Sequence, residues 1–307
     1  MRVVFLGTPD FAVPTLRALI NSKHEVLAVV TQPDKERDRR VVTPSPVKEE
    51  ALKHDIKVLQ YNKIRLEGVE DLKALNPDIM VTCAYGQIIS QEILDIAKYG
   101  VINVHGSLLP KYRGSAPIQW SVINGETKTG ITIMQTALGV DCGDMILQKE
   151  VEIGKYETAG ELFDRLAIIA PDVLLEAMDL IENGKAVFVK QNEEEATHCP
   201  KLEKSNGLID WNEDANTIFH KVYGMNPWPS AYCTLNGKMF KIHKVDIVDV
   251  HNNGFKPGDV IELSSKSYGV FCKDKVIKLL EVQLEGKKRM PIEEFILGYD
   301  LKGASLN

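Results

Sequence analysis

Short apolar runs alternate with amphipathic stretches along the first two thirds of the chain. The runs predict buried strands at residues 3–6, 26–30, 58–59, 79–81, 101–103 and 131–134. Helical patterns separate several of these strands and cover residues 11–20, 46–54, 65–75, 90–98 and 115–124. Strands that alternate with helices are typical of an α/β protein with a mostly parallel, doubly wound (Rossmann-like) sheet. In such sheets, ligands bind beyond the carboxyl ends of the strands.

A different pattern follows a long helix predicted over residues 156–183. Residues 190–205 are polar, which indicates a linker between domains. Beyond the linker, the sequence predicts short strands at residues 231–235, 240–250, 259–263, 269–272 and 276–282, and a closing helix at 291–296. These strands suit a small open barrel of the oligonucleotide-binding (OB) type, or another small β domain. We therefore predict an α/β domain at residues 1–189 and a small β domain at residues 206–307.

The composition limits the chemistry and the compartment. Five cysteines are dispersed among the 307 residues without CxxC spacing, which favours reduced thiols in the cytoplasm over a zinc site or a disulfide framework. The histidines show no metal-ligand spacing, so no metal is expected. No apolar run approaches the roughly 18 residues of a membrane span, and no targeting segment is expected before the first strand.

The charge distribution leaves RNA binding open. A net charge of −6 argues by itself against a nucleic-acid partner. The acidic excess lies in the first 205 residues, however, because residues 206–307 contain 13 basic and 13 acidic residues. A neutral domain with local lysine clusters can still present a basic face.

An amide and an imidazole lie two residues apart at the end of the strand predicted at 101–103. Asn103 and His105 project on the same side, because side chains alternate along a strand. Such a pair can stabilise an oxyanion and move a proton, which is the chemistry of acyl transfer. The alternative is a structural role, which is commoner for an isolated Asn-x-His pair. Asp141 would favour a protonated imidazole if the fold brings it near His105.

Several motifs resemble one enzyme family. The string at residues 101–114 is similar, almost letter for letter, to formyltransferases that use 10-formyltetrahydrofolate. The string RGSAPIQ at residues 113–119 resembles the branch of that family that acts on methionyl-tRNA. The resemblance extends to GTPDFA at residues 7–12, SPVK at 45–48 and NPWP at 226–229. Matches spread this widely make a chance resemblance very improbable.

The resemblance implies an activity and a catalytic trio. It implies transfer of a formyl group from 10-formyltetrahydrofolate to the α-amino group of methionine on initiator tRNA, for translation initiation. The trio that matches the family is Asn103, His105 and Asp141. One alternative is a formyltransferase for an amino-sugar nucleotide or glycinamide ribonucleotide, and another is a non-catalytic tRNA or folate binder. The β-rich second domain weighs against the first alternative, and the intact trio weighs against the second.

The resemblance also implies a folate site, and we expect the enzyme to be a monomer. Ser107, Leu108, Leu109 and Pro110 match the segment that contacts the folate in the family. Two neighbouring isoleucines are expected either to form apolar walls for the pterin or to pack in the core; these are Ile88 and Ile89. Position 142 is usually threonine in the family, so the presence of Cys142 removes a hydroxyl group. The binding partners implied are methionyl-initiator tRNA and tetrahydrofolate.

A long polar connection at residues 32–48 contains a cluster of positive charge. Its basic residues are Lys35, Arg37, Arg39 and Arg40, mixed with two acidic residues. A solvated loop is the simpler interpretation, but connections of this length in α/β units are uncommon and often functional. The tRNA-directed branch has a long basic loop here that is expected to enter the acceptor-stem end. Residues 35–41 depart from the usual family string, so no single arginine is assigned a base contact.

Overall fold

A computed structural model describes residues 1–37, 41–250 and 254–307 of the chain. The described residues form two compact units. The first contains residues 1–114, 129–151 and 163–199, and the second contains residues 115–128, 152–162 and 200–307.

A seven-stranded sheet is the centre of the first unit. The strands of this unit are β1 (Arg2–Gly7), β2 (Glu25–Thr31), β3 (Lys35–Arg37), β4 (Val41–Thr43), β5 (Val58–Gln60), β6 (Ile79–Cys83), β7 (Val101–His105), β8 (Arg113–Gly114), β9 (Lys128–Gln135), β10 (Met145–Glu152) and β11 (His198–Cys199). The order in the large sheet is β10-β9-β7-β6-β1-β2-β5. Strands β5, β2, β1, β6 and β7 pair in parallel, whereas β9 pairs with β7 in the antiparallel direction. The predicted mostly parallel α/β sheet is therefore confirmed.

Helices connect the strands of this sheet. They are α1 (Val13–Ile20), α2 (Pro46–Lys53), α3 (Ile64–Glu67), α4 (Val69–Leu75) and α5 (Gln91–Leu94), and the longer helix α7 (Ala159–Glu182) has residues in both units. Ser45 caps α2 by accepting a hydrogen bond from the Lys48 backbone N–H, and Pro46 occupies the first helical position. The helix predicted at 65–75 is two helices, which meet at Gly68. A Cβ atom there would lie 2.9 Å from the Ile64 side chain.

The sequence pattern missed two features of the first unit. Strand β10 alternates polar and apolar residues only weakly, and it lies at the edge of the sheet with much of its length exposed. The helix predicted at residues 90–98 is a single turn, α5. Its following residues still bury Ala97, which produced the apolar spacing of a longer helix.

The second unit has an antiparallel sheet. Its elements are α6 (Pro117–Ile123), α8 (Ala215–Gly224), β12 (Ala231–Leu235), β13 (Lys238–Val248), β14 (Val260–Ser264), β15 (Ser267–Phe271), β16 (Val276–Leu284), β17 (Met290–Pro291) and α9 (Ile292–Phe295). The strand order is β12-β13-β16-β15-β14, and β17 also pairs with β16. The five predicted strands and the closing helix are present. Helix α8 was missed, although Asp214 caps it and four apolar residues, Ile218, Phe219, Val222 and Tyr223, are buried at helical spacing.

Neither a membrane span nor a metal-binding cluster occurs among the described residues. No helix within the described ranges is both long and apolar enough to cross a lipid bilayer. The same residues contain no group of three or more histidine, cysteine, aspartate or glutamate side chains that could hold a metal ion.

Candidate active site

The fold brings together the three residues that the sequence singled out. Asn103 and His105 lie at the carboxyl end of β7, and both side chains face Asp141 in the loop between β9 and β10. Nδ2 of Asn103 lies 3.4 Å from Oδ1 of Asp141, and Nδ1 of His105 lies 3.6 Å from Oδ2. One carboxylate therefore contacts both the amide and the imidazole.

The His105 ring is held at Nε2 and faces Asp141 at Nδ1. Nε2 lies 2.9 Å from the backbone oxygen of Tyr112, and the side chain is buried. A carbonyl oxygen can only accept a hydrogen bond, so the geometry places a proton on Nε2. The Nδ1 edge is then the one directed to Asp141, at 3.6 Å.

Asp141 adopts an unusual backbone conformation. Its φ angle is +48°, in the left-handed region that only a few per cent of non-glycine residues adopt. Its Oδ2 accepts a hydrogen bond of 2.9 Å from the Gly114 backbone N–H. Its backbone oxygen accepts a hydrogen bond of 2.8 Å from Nε2 of Gln191. The carboxylate is thus fixed through both its side chain and its backbone.

A buried arginine, Arg113, contacts the Gln191 side chain that holds the loop of Asp141. Arg113 is 3% exposed, and its Nε donates a hydrogen bond of 2.9 Å to Oε1 of Gln191. Its two terminal nitrogens donate to the two carboxylate oxygens of Glu193, at 2.9 and 2.7 Å. These hydrogen bonds hold the pKa of Glu193 below its ordinary value. The pair neutralises a guanidinium that would otherwise be buried without compensation.

The segment predicted to contact folate is fixed to the neighbouring strands. The backbone N–H of Leu109 donates to Oγ1 of Thr132, and that hydroxyl donates to the Ser107 backbone oxygen at 2.6 Å. Nε2 of Gln148 donates to the Leu109 backbone oxygen at 2.9 Å. Ser107 and Leu109 are buried, whereas Leu108 and Pro110 are half-buried. The segment therefore has an ordered backbone with two partly accessible side chains.

The two isoleucines of the preceding loop are placed differently. Ile88 is 71% exposed. Ile89 is buried in a core cluster that includes Tyr85 and Ile93. Ile88 is therefore available to a ligand, whereas Ile89 packs in the core.

Comparison with known proteins identifies the family. Residues 1–178 match the formyl transferase family, and residues 201–300 match the formyl transferase C-terminal domain. The chain is 46% identical over 301 residues to a methionyl-tRNA formyltransferase of Acetivibrio thermocellus, and the alignment covers 97% of each protein. Further relatives with the same name are 43% to 47% identical. The chain belongs to the formyl transferase family, in its methionyl-tRNA formyltransferase branch.

Solved structures of other formyl transferases share the fold. A sugar 3N-formyl transferase, solved in the presence of dTDP and 5-N-formyl-THF, has a TM-score of 0.69 at 20% identity, and the match covers 94% of this chain and 99% of that one. HypX from Aquifex aeolicus, in complex with tetrahydrofolic acid, has a TM-score of 0.61 at 18% identity. That match covers 96% of this chain, which spans about half (47%) of HypX. At these identities the likeness establishes the fold alone.

Hydrogen bonds close the base of the basic loop, which we define as residues 32–48. Nζ of Lys48 lies 2.6 Å from a carboxylate oxygen of Asp34 and 2.8 Å from Oε1 of Gln60. Nε2 of Gln60 donates to the other oxygen of Asp34 at 2.9 Å. The hydrogen bond from Lys48 lowers the pKa of Asp34. Three side chains thus join the two ends of the loop to strand β5.

Within the loop, β3 and β4 pair as antiparallel strands. Lys35 and Arg37 lie on β3, opposite Thr43 and Val41. Arg39 and Arg40 lie outside the described residues. Two of the four basic residues predicted to bind tRNA therefore lie on a strand. That these four residues bind tRNA stays a prediction.

Sequence inspection missed the residues that hold the predicted trio in place. The hydroxyl of Thr82 on β6 donates a hydrogen bond to Asn103, its register partner on β7. Gln191 lies in the stretch that the sequence indicated as a linker. Thr82 was detectable as a polar residue in the buried run of β6, whereas nothing in the local sequence marked Gln191.

Proposed function

We propose that the chain is an enzyme that transfers the formyl group of 10-formyltetrahydrofolate to the α-amino group of methionyl-initiator tRNA. The products are N-formylmethionyl-tRNA, which is used in translation initiation, and tetrahydrofolate. The observation that supports this function most strongly is the 46% identity to a methionyl-tRNA formyltransferase across 97% of both proteins. We further propose that the enzyme acts as a monomer in the cytoplasm, without a metal.

The reaction needs one bond to form and one to break. The amine nitrogen of methionine attacks the formyl carbon, and the carbonyl oxygen becomes an oxyanion. The bond from the formyl carbon to N10 of the folate then breaks. The amine loses one proton and N10 gains one, so the catalytic groups have to stabilise negative charge on oxygen and move a proton.

We assign each member of the trio a distinct role, which the geometry supports. The Asn103 amide nitrogen has two hydrogens, of which Asp141 can accept one, and the other can be donated to the oxyanion. The Nδ1 edge of His105 faces Asp141, and this edge is where the proton is held or passed on. Asp141 stabilises the protonated imidazole by its negative charge.

The formyl donor is assigned to the first unit. Ser107, Leu108, Leu109 and Pro110 follow directly on β7, so a ligand against this segment lies next to the trio. The exposed side chain of Ile88 is assigned to the pterin ring. The buried position of Ile89 supports a packing role, and we assign it no ligand contact.

The tRNA is assigned to the basic loop and to the small domain. Lys35, Arg37, Arg39 and Arg40 follow β2 in the sequence and supply the positive charge of this loop. We retain a catalytic domain at residues 1–189 and a tRNA-binding domain at residues 206–307. Gln191 and Glu193, from the intervening segment, take part in the catalytic site.

The direct test is a comparison of acceptors. Radiolabelled 10-formyltetrahydrofolate is incubated with the enzyme and with methionyl-initiator tRNA, glycinamide ribonucleotide or an amino-sugar nucleotide. We expect label on the methionyl-tRNA only. His105→Ala is the control for transfer by a contaminating enzyme. Faster transfer to either small acceptor would overturn the proposed substrate.

A further inference from the structure

We propose that Gln191 is a positioning residue that fixes the backbone of Asp141 and thereby sets the place of its carboxylate. This inference rests on the proposed function, because it assigns Gln191 a role through the proposed catalytic trio. The site needs such a residue, because Asp141 comes from a loop and not from the sheet that holds Asn103 and His105.

Gln191 contacts the backbone of the loop at two residues. Its Nε2 donates hydrogen bonds of 2.8 Å to the backbone oxygens of both Asp141 and Gly143. An amide nitrogen has two hydrogens, so both are used. The side chain is 9% exposed, which shields these hydrogen bonds from competition with water. A single amide thus holds the loop on both sides of Cys142.

The conformation of the loop explains why it needs this support. Asp141 has a left-handed φ of +48°, a conformation that persists in non-glycine residues when the surroundings hold it. Gly143 packs so closely against the backbone oxygen of Gln135 that a Cβ atom has no room there. Without the hydrogen bonds from Gln191, Asp141 keeps the contact of its Oδ2 with the Gly114 N–H but loses the support of its backbone, so its carboxylate shifts relative to His105 and Asn103.

Arg113 determines which way the Gln191 amide faces. Its Nε donates to Oε1 of Gln191, so the nitrogen of that amide has to face the loop. Glu193 holds the other edge of the same guanidinium through two hydrogen bonds. The order of contacts is Glu193, Arg113, Gln191 and Asp141, and it leads from the protein surface to the proposed catalytic carboxylate.

The first test is kinetic. Gln191→Met keeps the length of the side chain and removes both donors. We expect kcat to fall about 10- to 100-fold, with little change in KM for either substrate, because a displacement of about 1 Å at a reacting group has effects of this size. Lys190→Met, the same replacement at the exposed neighbouring position, is the matched control and should retain full activity.

A double-mutant cycle separates positioning from general stabilisation. If Gln191 acts through the Asp141 carboxylate, Gln191→Met should lower kcat in the wild-type background and have little further effect in the Asp141→Asn background. Multiplicative decreases in the double variant would overturn the proposal. If Gln191→Met does not fold, Gln191→Glu replaces it, since a carboxylate keeps a partner for Arg113 and cannot donate to the two carbonyls.

A spectroscopic test needs no substrate. The ¹⁵N chemical shift of Nδ1 of His105 reports the contact of that atom with Asp141. We expect Gln191→Met and Asp141→Asn to move this shift and Lys190→Met to leave it unchanged. An unchanged shift in Gln191→Met would overturn the proposal. This result stands even if the wild-type enzyme formylates none of the acceptors tested, so failure of the proposed function can be told apart from failure of the positioning role.

Discussion

The Thr82 hydroxyl donates a hydrogen bond of 2.9 Å to Oδ1 of Asn103, whose amide nitrogen faces the carboxylate of Asp141. An amide has an accepting end and a donating end, and the surrounding hydrogen bonds decide how they are arranged. The carboxylate of Asp141 can only accept, so the nitrogen of Asn103 faces it at 3.4 Å, and Thr82 holds the oxygen at the other end. The group that we propose as the oxyanion donor is therefore oriented before substrate binds.

Removal of the oxyanion donor should reduce the rate of the chemical step. We expect Asn103→Ala and His105→Ala each to lower the single-turnover rate about 100- to 1,000-fold, the usual effect of losing one oxyanion-stabilising group. Folate binding, followed by fluorescence titration, should remain close to wild type. Near-normal turnover in either variant would show that its residue has no catalytic role.

Thr82 provides a matched pair of variants for the same step. Thr82→Val has the same shape without the hydroxyl, so the amide of Asn103 loses its orienting partner, and the rate should fall about tenfold, as for the removal of a hydrogen bond of about 1.4 kcal/mol. Thr82→Ser keeps the hydroxyl and should behave like wild type. Equal rates for the valine and serine variants would contradict the orienting role.

Asp141→Asn should lower the rate of formyl transfer. The substitution removes the negative charge that lies 3.6 Å from Nδ1 of His105, so the single-turnover rate should fall. Asparagine suits this comparison because it tolerates the left-handed backbone at this position. The single-turnover rate is measured for both proteins under identical conditions. Equal rates would show that the charge of Asp141 has no part in catalysis.

Removal of the positive charges of the basic loop should weaken tRNA binding. In a variant with Lys35, Arg37, Arg39 and Arg40 replaced by glutamine, the plot of log affinity against log salt concentration should become less steep. For a nucleic-acid duplex, the slope decreases by about 0.9 for every phosphate that the protein no longer neutralises. Folate affinity should not change.

A companion variant tests the sign of the same effect. Glu36→Gln with Asp38→Asn removes the acidic neighbours and should tighten tRNA binding. Identical salt slopes for wild type and the fourfold variant would assign tRNA contact to the small domain alone.

Cys142 should react with alkylating reagents before the other cysteines. It is half-buried, whereas the other four cysteines are buried. Burial also raises the pKa of the Cys83 and Cys233 thiols to about 12. Iodoacetamide should label Cys142 first and inhibit formyl transfer, because the adduct lies between Asp141 and Gly143. Peptide mass spectrometry identifies the site, Cys142→Thr is the control, and full activity of the labelled enzyme would argue against a tightly packed loop.

The stability of the first unit should depend on Glu50 in a defined pH range. Hydrogen bonds from Arg17 lower the pKa of this buried carboxyl from 4.5 to about 2. A depressed pKa stabilises the folded state above the ordinary value and loses that effect as pH falls from about 4.5 towards 2. Glu50→Gln should therefore lower the free energy of unfolding at pH 7 by about 1.5–3 kcal/mol, the range for charged hydrogen bonds. Urea titrations should show this difference shrinking below pH 4.5, and a constant difference would contradict the assignment.

The sequence predicted the parts of the site that lie on regular structure. Asn103 and His105 share one side of β7 because strand alternation is a local property, and the carboxyl ends of strands are where sheets of this type generally bind ligands. Asp141 lies near them because it follows strand β9, which pairs with β7. The apolar run at residues 131–134 predicted β9 as a strand but did not predict that it is antiparallel to β7. Only the resemblance to the family linked Asp141 to the pair beforehand.

The supporting residues could not be predicted for a physical reason. Gln191 acts through contacts with residues about 50 positions away in the chain, and its neighbours have the polar composition of a linker. Helix α8 was missed because the β pattern that follows it dominates the end of the chain. Hydrogen bonds between distant loops leave no periodic signal, whereas buried strands and amphipathic helices do.

The closed base of the basic loop has a consequence for how such enzymes diverge. Asp34, Lys48 and Gln60 hold the two ends of the loop together, so the strands of the sheet do not depend on what lies between those ends. Once the ends of a loop are fixed, doubling its length adds only about 0.6 kcal/mol. The intervening residues can therefore be lengthened, shortened or exchanged without redesign of the catalytic site. This arrangement is consistent with residues 35–41 departing from the usual family string while residues 45–48 keep theirs. In effect, the RNA recognition that we propose for this loop can change independently of the catalysis of formyl transfer.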